Sequence, residues 1–540
     1  MRPPATTPRA LILILFLALC ASAGLLQYQK GGFASDLGGD PDEAAHAVTA
    51  LMVHDYLWQK WGQSPMAFAS SYYEAFPKVA LGHYPPGYYA VAAAALSLWC
   101  DPKALIALQA ILLALVGTAG WIFAKRWLPE KDGWLALFPA FILLFQTETL
   151  RVSCHVMADL QLCGLVFAAL WAWLRYLQHP SWNKSLLFGV LAAAAILTKG
   201  SAIGLGGVPL LTLLLGRRWS DCKRLDWWGA ALPVLVLAGP WMAYSVRFTQ
   251  EGFVSQQPWE FFIGALSYYA ERLPVFYGWP LVLVLAAALA RIGYDALHRQ
   301  LDPTRLVLSS GWISMLLLVM IVPSGLSPRY LLPGLLPATL LILNEVRFWT
   351  NRWPASSWPL SQTACLRLIM AALGLAFVVT APPLPTKNVS GYTEVVSHLL
   401  SERDPAAKSI WLIASDPRGE GATIAAAAFQ VADRTSGRLT ILRGSKSLVS
   451  SDWMGRDYQA KYSDQATLLQ LLDTLAIDTL LLDLSVPQAQ LKPHEIQLKA
   501  ALDAPDSDWL QVRLQTIHRH ALTAPGELRI YRRRPLTPHS

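Results

Sequence analysis

Charge is scarce in this chain. Of 540 residues only 15% are Asp, Glu, Lys or Arg, against 54% hydrophobic, whereas soluble chains run near a quarter charged. That excludes a protein that is soluble throughout. Cysteine is scarce too. Cys20, Cys100, Cys154, Cys163, Cys222 and Cys365 lie in or beside apolar runs without paired spacing, and none comes after residue 385. Such a pattern builds neither a zinc site nor a disulfide framework, and buried thiols behave as small apolar groups. Also missing are a Gly-x-Gly-x-x-Gly turn and a Walker loop, so no nucleotide site is legible. The net charge of +8 does not signal nucleic acid, because the cations sit in short clusters between apolar runs, as topology determinants do.

What is abundant is long apolar sequence and tryptophan, with 22 indoles of the kind that favours a membrane–water interface. A hydrocarbon core about 30 Å thick needs roughly 20 apolar residues in a helix. Runs of that kind cover 10–27, 104–124, 133–149, 160–177, 185–199, 203–216, 228–246, 276–292, 306–323, 330–346 and 364–381. The predicted fold class is an α-helical polytopic membrane protein of about 11 transmembrane helices (about 10–13 as boundaries are drawn), with a C-terminal soluble α/β domain. The expected division is a transmembrane domain over 1–385, with a long first loop at 28–103, and a soluble domain over 386–540. In that tail, strand-like and helical runs alternate at 409–414, 423–432, 439–442, 464–475, 479–484, 493–502, 510–516 and 527–532.

The first run has a basic start, Arg2 and Arg9, and a small-residue stretch, Ala21-Ser22-Ala23. It reads either as a retained span or as a cleaved signal segment, and in both cases the loop after it emerges outside. With the N-terminus inside, Lys125-Arg126, Arg175, Arg217-Arg218, Lys223-Arg224, Arg291, Arg305, Arg347 and Arg352 all fall in the cytoplasm, as the positive-inside rule asks. The alternation requires that residues 84–100 do not cross. An odd number of spans then delivers the tail to the outside.

Ionisable residues at membrane depth are costly, so their placement carries information. The outer loops collect Asp40, Asp42, Glu43 and His46, then His83-Tyr84-Pro85-Pro86, then Arg151 through Asp159, then Lys199 in Leu-Thr-Lys-Gly, and Ser327-Pro328-Arg329-Tyr330. Acids and bases from four loops gather on one face. In order and spacing these motifs resemble the multi-spanning C-type glycosyltransferases, in the branch of the protein O-mannosyltransferases and the bacterial lipid A aminoarabinose transferase. The resemblance runs from residue 10 to about 345 and leaves the tail outside it. Where that family has Arg or Lys and Tyr after the acidic pair, this chain has Ala44-Ala45-His46, a departure that bears on acceptor and sugar.

The resemblance implies a sugar donor linked to polyprenyl phosphate, an inverting transfer, and a lipid, glycan or protein acceptor on the outer face of a bacterial inner membrane, among membrane lipids and without nucleic acid. Asp42 matches the first acid of the family's pair and is the candidate base, since an acceptor hydroxyl needs a carboxylate to take its proton. The competing reading is that it caps the next helix. Glu43 and Asp159 complete the candidate catalytic acids. Glu43 orients the acceptor or binds a cation; Asp159 pairs with Lys199, shares a divalent ion (Mg or Mn) with Glu43, or orients the acceptor. Cations stabilise a leaving phosphate as its charge grows, and Lys199, Arg329 and Arg151 are the candidates, against a reading in which they anchor helix ends. His46, His83, Tyr84, Tyr88, Tyr89 and Tyr330 are expected to line the substrate groove or to sit at the interface. No cofactor is certain. A transporter or flippase, which would show internal repeats and mid-membrane polar sites, and a non-catalytic envelope scaffold are the rival classes.

Overall fold

The structure is a computed structural model. It describes residues 9–534 except 81, 129, 251–256, 324, 353–360, 385, 453–454 and 506. Among the described residues, eight helices are long and apolar enough to cross a membrane: α1 (Arg9–Gln29), α5 (Pro102–Ala124), α8 (Asp159–Gln178), α11 (Leu225–Thr249), α13 (Trp279–Leu297), α14 (Pro303–Ile321), α15 (the end of Pro328–Arg352, as Leu335–Arg352) and α16 (Gln362–Thr380). A ninth apolar stretch is broken, with α6 (Phe138–Phe145) and α7 (Thr147–Ser153) inclined at 62° across Gln146. The two shortest expected spans form α9 (Trp182–Thr198) and a 3₁₀ turn running into α10 (Gly207–Gly216). Each of the eleven apolar runs therefore has a helical counterpart.

Between α1 and α5 the chain makes α2 (Glu43–Gln59), α3 (Pro65–Ala75) and α4 (Gly87–Leu98). At 12 residues, α4 is about 18 Å long, too short to span, in keeping with the expectation that 84–100 does not cross. The longest helix outside the sequence expectations is α12 (Pro258–Tyr277), which carries Glu260, Glu271 and Arg272, and these charges keep the segment from reading as apolar. Polar glue holds the bundle where α1 meets it, with Gln27 Nε2 donating to the Ile106 and Ser153 carbonyls at 3.0 and 2.8 Å.

The tail is an α/β domain. Its sheet has the order β2-β1-β5-β7-β6, from β1 (Ser409–Ala414), β2 (Leu439–Arg443), β5 (Thr479–Asp483), β6 (Trp509–Ile517) and β7 (Gly526–Arg533), while β3 (Val449–Ser450) and β4 (Gln459–Ala460) form a separate ribbon. β2, β1 and β5 are parallel, and β7 and β6 add antiparallel. α17 (Tyr392–Glu402), α18 (Pro417–Gln430), α19 (Gln465–Thr474) and α20 (Pro493–Leu502) surround it. Leu480, Leu481 and Leu482 of β5 are all fully buried, as a strand covered on both faces requires. The strand order reverses between β1 and β5, with β2 on one side of β1 and β5 on the other, the place where open α/β sheets hold ligands. Here that crevice is filled from within. Arg519 donates to Ser485 Oγ at 2.7 Å, Ser415 Oγ at 3.0 Å and Asp483 Oδ2 at 2.6 Å, and also to Asp416.

Candidate active site

The first loop turns at Asp40-Pro41-Asp42, where Asp40 Oδ1 accepts the Asp42 backbone N–H at 3.0 Å and bends the chain into α2, the short local bond that makes Asp a turn former. Asp42 occupies the N-cap position, yet its side chain makes no capping hydrogen bond. It turns instead toward Arg329, whose Nη2 donates to Asp42 Oδ2 at 2.9 Å, and toward Tyr84, whose hydroxyl donates to the same oxygen at 3.1 Å. The capping alternative is therefore not what the side chain does. Arg329 enters from Ser327-Pro328, just ahead of α15, and its Nη1 lies 3.8 Å from Asp40 Oδ1. Its Nε is buried without a hydrogen-bond partner.

α8 and α9 are antiparallel neighbours joined by a short turn, so the start of one meets the end of the other. This brings Asp159, the first residue of α8, to Lys199, the residue after α9, with Nζ to Oδ1 at 2.8 Å. Both are buried. The Tyr330 ring lies beneath both cations, 5.2 Å from Lys199 Nζ and 5.6 Å from the Arg329 guanidinium carbon, within cation–π range. Arg151 stands one step back: it donates to Asp40 Oδ2 at 3.2 Å and to Glu148 Oε2 at 2.7 Å.

The aromatic wall comes from α4 and the residues before it. His46 Nδ1 and Tyr89 Oη are 3.0 Å apart, and the His46 ring meets Tyr84 edge-on at 4.7 Å. Tyr88 is fixed by Gln109 Nε2 at 2.9 Å. His83 packs edge-on to Phe248 at 5.9 Å. Burial would raise the Asp42 carboxyl, but the positive fields of Arg329, His46 and Lys199 outweigh it and hold the pKa at about 2. Burial, set against the Asp42 charge, lowers the His46 imidazole to about 4, so His46 is neutral near pH 7.

Thus Asp42, Arg329, Asp159, Lys199, Tyr84, Tyr330 and His46 converge, with Arg151 reaching the same cluster through Asp40. Glu43 does not face this group. It is fully buried and turned the other way, accepting from Lys387 Nζ at 2.5 Å and from the Gly39 N–H at 3.0 Å. The expected sharing of a divalent ion by Glu43 and Asp159 meets a physical objection, since each carboxylate already holds a lysine. No group of three or more His, Cys, Asp or Glu side chains gathers as metal ligands among the described residues. Sequence reasoning collected Asp40 with the outer-face acids but gave it no partner, and it missed Lys387, Glu148 and Gln109, which carried no signal in the sequence.

Residues 83–244 match the family of dolichyl-phosphate-mannose-protein mannosyltransferases. No curated protein matches significantly. Among solved structures, ArnT from Cupriavidus metallidurans bound to undecaprenyl phosphate superposes with a TM-score of 0.56 at 15% identity, over 96% of this chain and 97% of that one. The oligosaccharyltransferase of Archaeoglobus fulgidus gives 0.55 in the apo form at 10% identity, over 88% and 70%. Its complex with an inhibitory peptide and a dolichol-phosphate, under the name AglB, gives 0.51 at 11%, over 86% and 69%. The chain therefore shares the fold of ArnT and of the archaeal oligosaccharyltransferase, and within it residues 83–244 carry the pattern of the mannosyltransferase family.

Proposed function

We propose that the protein transfers a sugar from a polyprenyl-phosphate donor to a hydroxyl-bearing lipid, glycan or protein on the outer face of a bacterial inner membrane, with inversion. The observation that carries the reading is the Asp42–Arg329 pair at 2.9 Å, made by segments 287 residues apart and backed by Lys199 and Asp159. A carboxylate base and two cations are what the reaction needs at opposite ends of the breaking bond. Asp42 takes the acceptor proton as the acceptor oxygen attacks the anomeric carbon. The polyprenyl phosphate leaves with the bonding electrons, and Arg329 and Lys199 meet its growing charge. Arg329 has a fork to offer, because its Nε has no partner. The donor phosphate competes with Asp42 for the guanidinium, which frees the carboxylate when substrate arrives. Asp159 sets the place of Lys199, and Arg151 sets that of Asp40. The similarity to an ArnT structure holding undecaprenyl phosphate supports the donor class. A cluster at one end of the bundle, rather than at its middle, favours chemistry over transport.

Mass spectrometry of envelope lipids, glycans and proteins tests this directly. Cells carrying the wild type are expected to show a sugar increment that cells carrying Asp42→Asn at equal protein level lack. An increment of undiminished size in the variant removes Asp42 as the base, and none in the wild type removes the reading.

A further inference from the structure

α2 carries Asp42 at its head, yet it is gripped from the other domain at both ends. At the N-terminal end the fully buried Glu43 meets Lys387 Nζ at 2.5 Å, and the same ammonium donates to the Cys154 carbonyl at 3.3 Å. At the C-terminal end Asp55, also fully buried, takes a two-pronged bond from Arg434, Nε at 2.6 Å and Nη2 at 2.9 Å. Tyr72 donates to that carboxylate too, at 3.2 Å. The two acids lie about 18 Å apart along the helix axis, at 1.5 Å of rise per residue. Both cations lie beyond residue 385, outside the segment matched to the mannosyltransferase family. Close backbone approach seals the contact, since a Cβ on Gly421 of α18 would lie 2.9 Å from Ala44 Cβ.

We infer that Lys387 and Arg434 are positioning residues, through which the C-terminal domain clamps α2 and holds Asp42 against Arg329. This rests on the glycosyltransferase reading above and assigns the domain a role within it. Buried ion pairs contribute little net stability but penalise any arrangement that separates the partners, which suits a clamp. Lys387 fixes three things at once: the Asp40–Glu43 turn, the loop after α7 that carries Cys154 beside Arg151, and the entry to the tail, where the Lys387 N–H donates to the Lys30 carbonyl at 2.9 Å.

The test uses the full chain in lipid nanodiscs, with spin labels at Pro41 and Ser267, both exposed, reporting distance across the site independently of activity. Lys387→Met and Glu43→Gln are each expected to shift or broaden that distance and to lower turnover about tenfold or more. The double variant should be no worse than the worse single, because the two residues act as one pair. Arg434→Lys keeps the charge but loses the fork and is expected to fall between, which covers the case of a Met variant that fails to fold. Unchanged distances overturn the clamp, as does a lowered melting temperature with distance and turnover intact. Shifted distances with wild-type turnover overturn the positioning role. If the wild type transfers no sugar, the functional reading falls by itself, and the distances still decide whether the clamp exists.

Discussion

Burial opposes the charge on Asp42, and the cations around it reverse that preference, leaving a pKa of about 2 against an ordinary 3.8. Depression of this size corresponds to a few kcal/mol, on the order of 2–3, of favourable interaction with the ionised form. Its contribution to stability is present above about pH 4 and is lost as pH falls from there toward 2. For catalysis the consequence is a profile of kcat/KM with no acid limb from Asp42 down to about pH 4. Arg329→Gln removes the largest favourable field while leaving the burial, so Asp42 should titrate above its ordinary range and an acid limb should appear between about pH 4 and 6. The same variant is expected to lose about 10²–10³-fold in kcat, as loss of a donor to a developing charge does. Arg329→Lys should recover part of the rate and most of the pH behaviour, because charge returns without the fork. A pH-rate series on the three proteins checks both; wild-type turnover in Arg329→Gln would show a residue that merely anchors the end of α15.

At the scale of elements, the site depends on how closely α4 approaches α9. A Cβ placed on Gly87 would lie 2.7 Å from the Leu197 carbonyl oxygen and 2.9 Å from its carbon, backbone atoms that cannot swing aside. Gln161 completes the junction, with Nε2 to the Gly87 carbonyl at 3.3 Å and to Thr198 Oγ1 at 3.0 Å. Gly87→Ala is therefore expected to push α4 and its tyrosines away from Lys199. The overpacking should cost about 1–3 kcal/mol, seen as a lower melting temperature, together with a fall in kcat larger than a surface substitution gives. The hydrophobic runs made these elements legible, because span length and burial both derive from apolar sequence. In the tail, period-two and helical patterning placed 409–414 and 493–502 on the observed β1 and α20. The amphipathic α12 did not register, since Glu260, Glu271 and Arg272 break its apolar character. The acids and cations of the site were readable one by one, from their cost at membrane depth. Of their pairings, Asp159 with Lys199 was among the expected ones, whereas Glu43 with Lys387 and Asp55 with Arg434 join positions 344 and 379 residues apart, and no local pattern encodes such contacts.

For the whole molecule, the arrangement ties orientation to chemistry. Asp42, Asp159, Lys199 and Arg329 lie at the end of the bundle that the C-terminal domain covers, since Lys387 and Arg434 of that domain bond α2 directly. Whatever side of the membrane receives the tail therefore receives the site. Charge alternation argues that this side is the outer one, with Lys125-Arg126 and Arg217-Arg218 at the opposite end. It holds only because α4, at 12 residues, is too short to cross; were it a span, every later loop would change sides and the positive clusters would face outward. A reporter fused after residue 390 is expected to be active only in the extracytoplasmic compartment, and one fused near Lys131 only in the cytoplasm. The two readouts are independent, because one reports on the start of the bundle and the other on its end. A tail reporter active in the cytoplasm would place Asp42 and Arg329 there too, and a transfer at that face would then draw on a differently oriented donor. Agreement of both reporters, together with loss of the sugar increment in Asp42→Asn, would fix the face on which the acceptor is met.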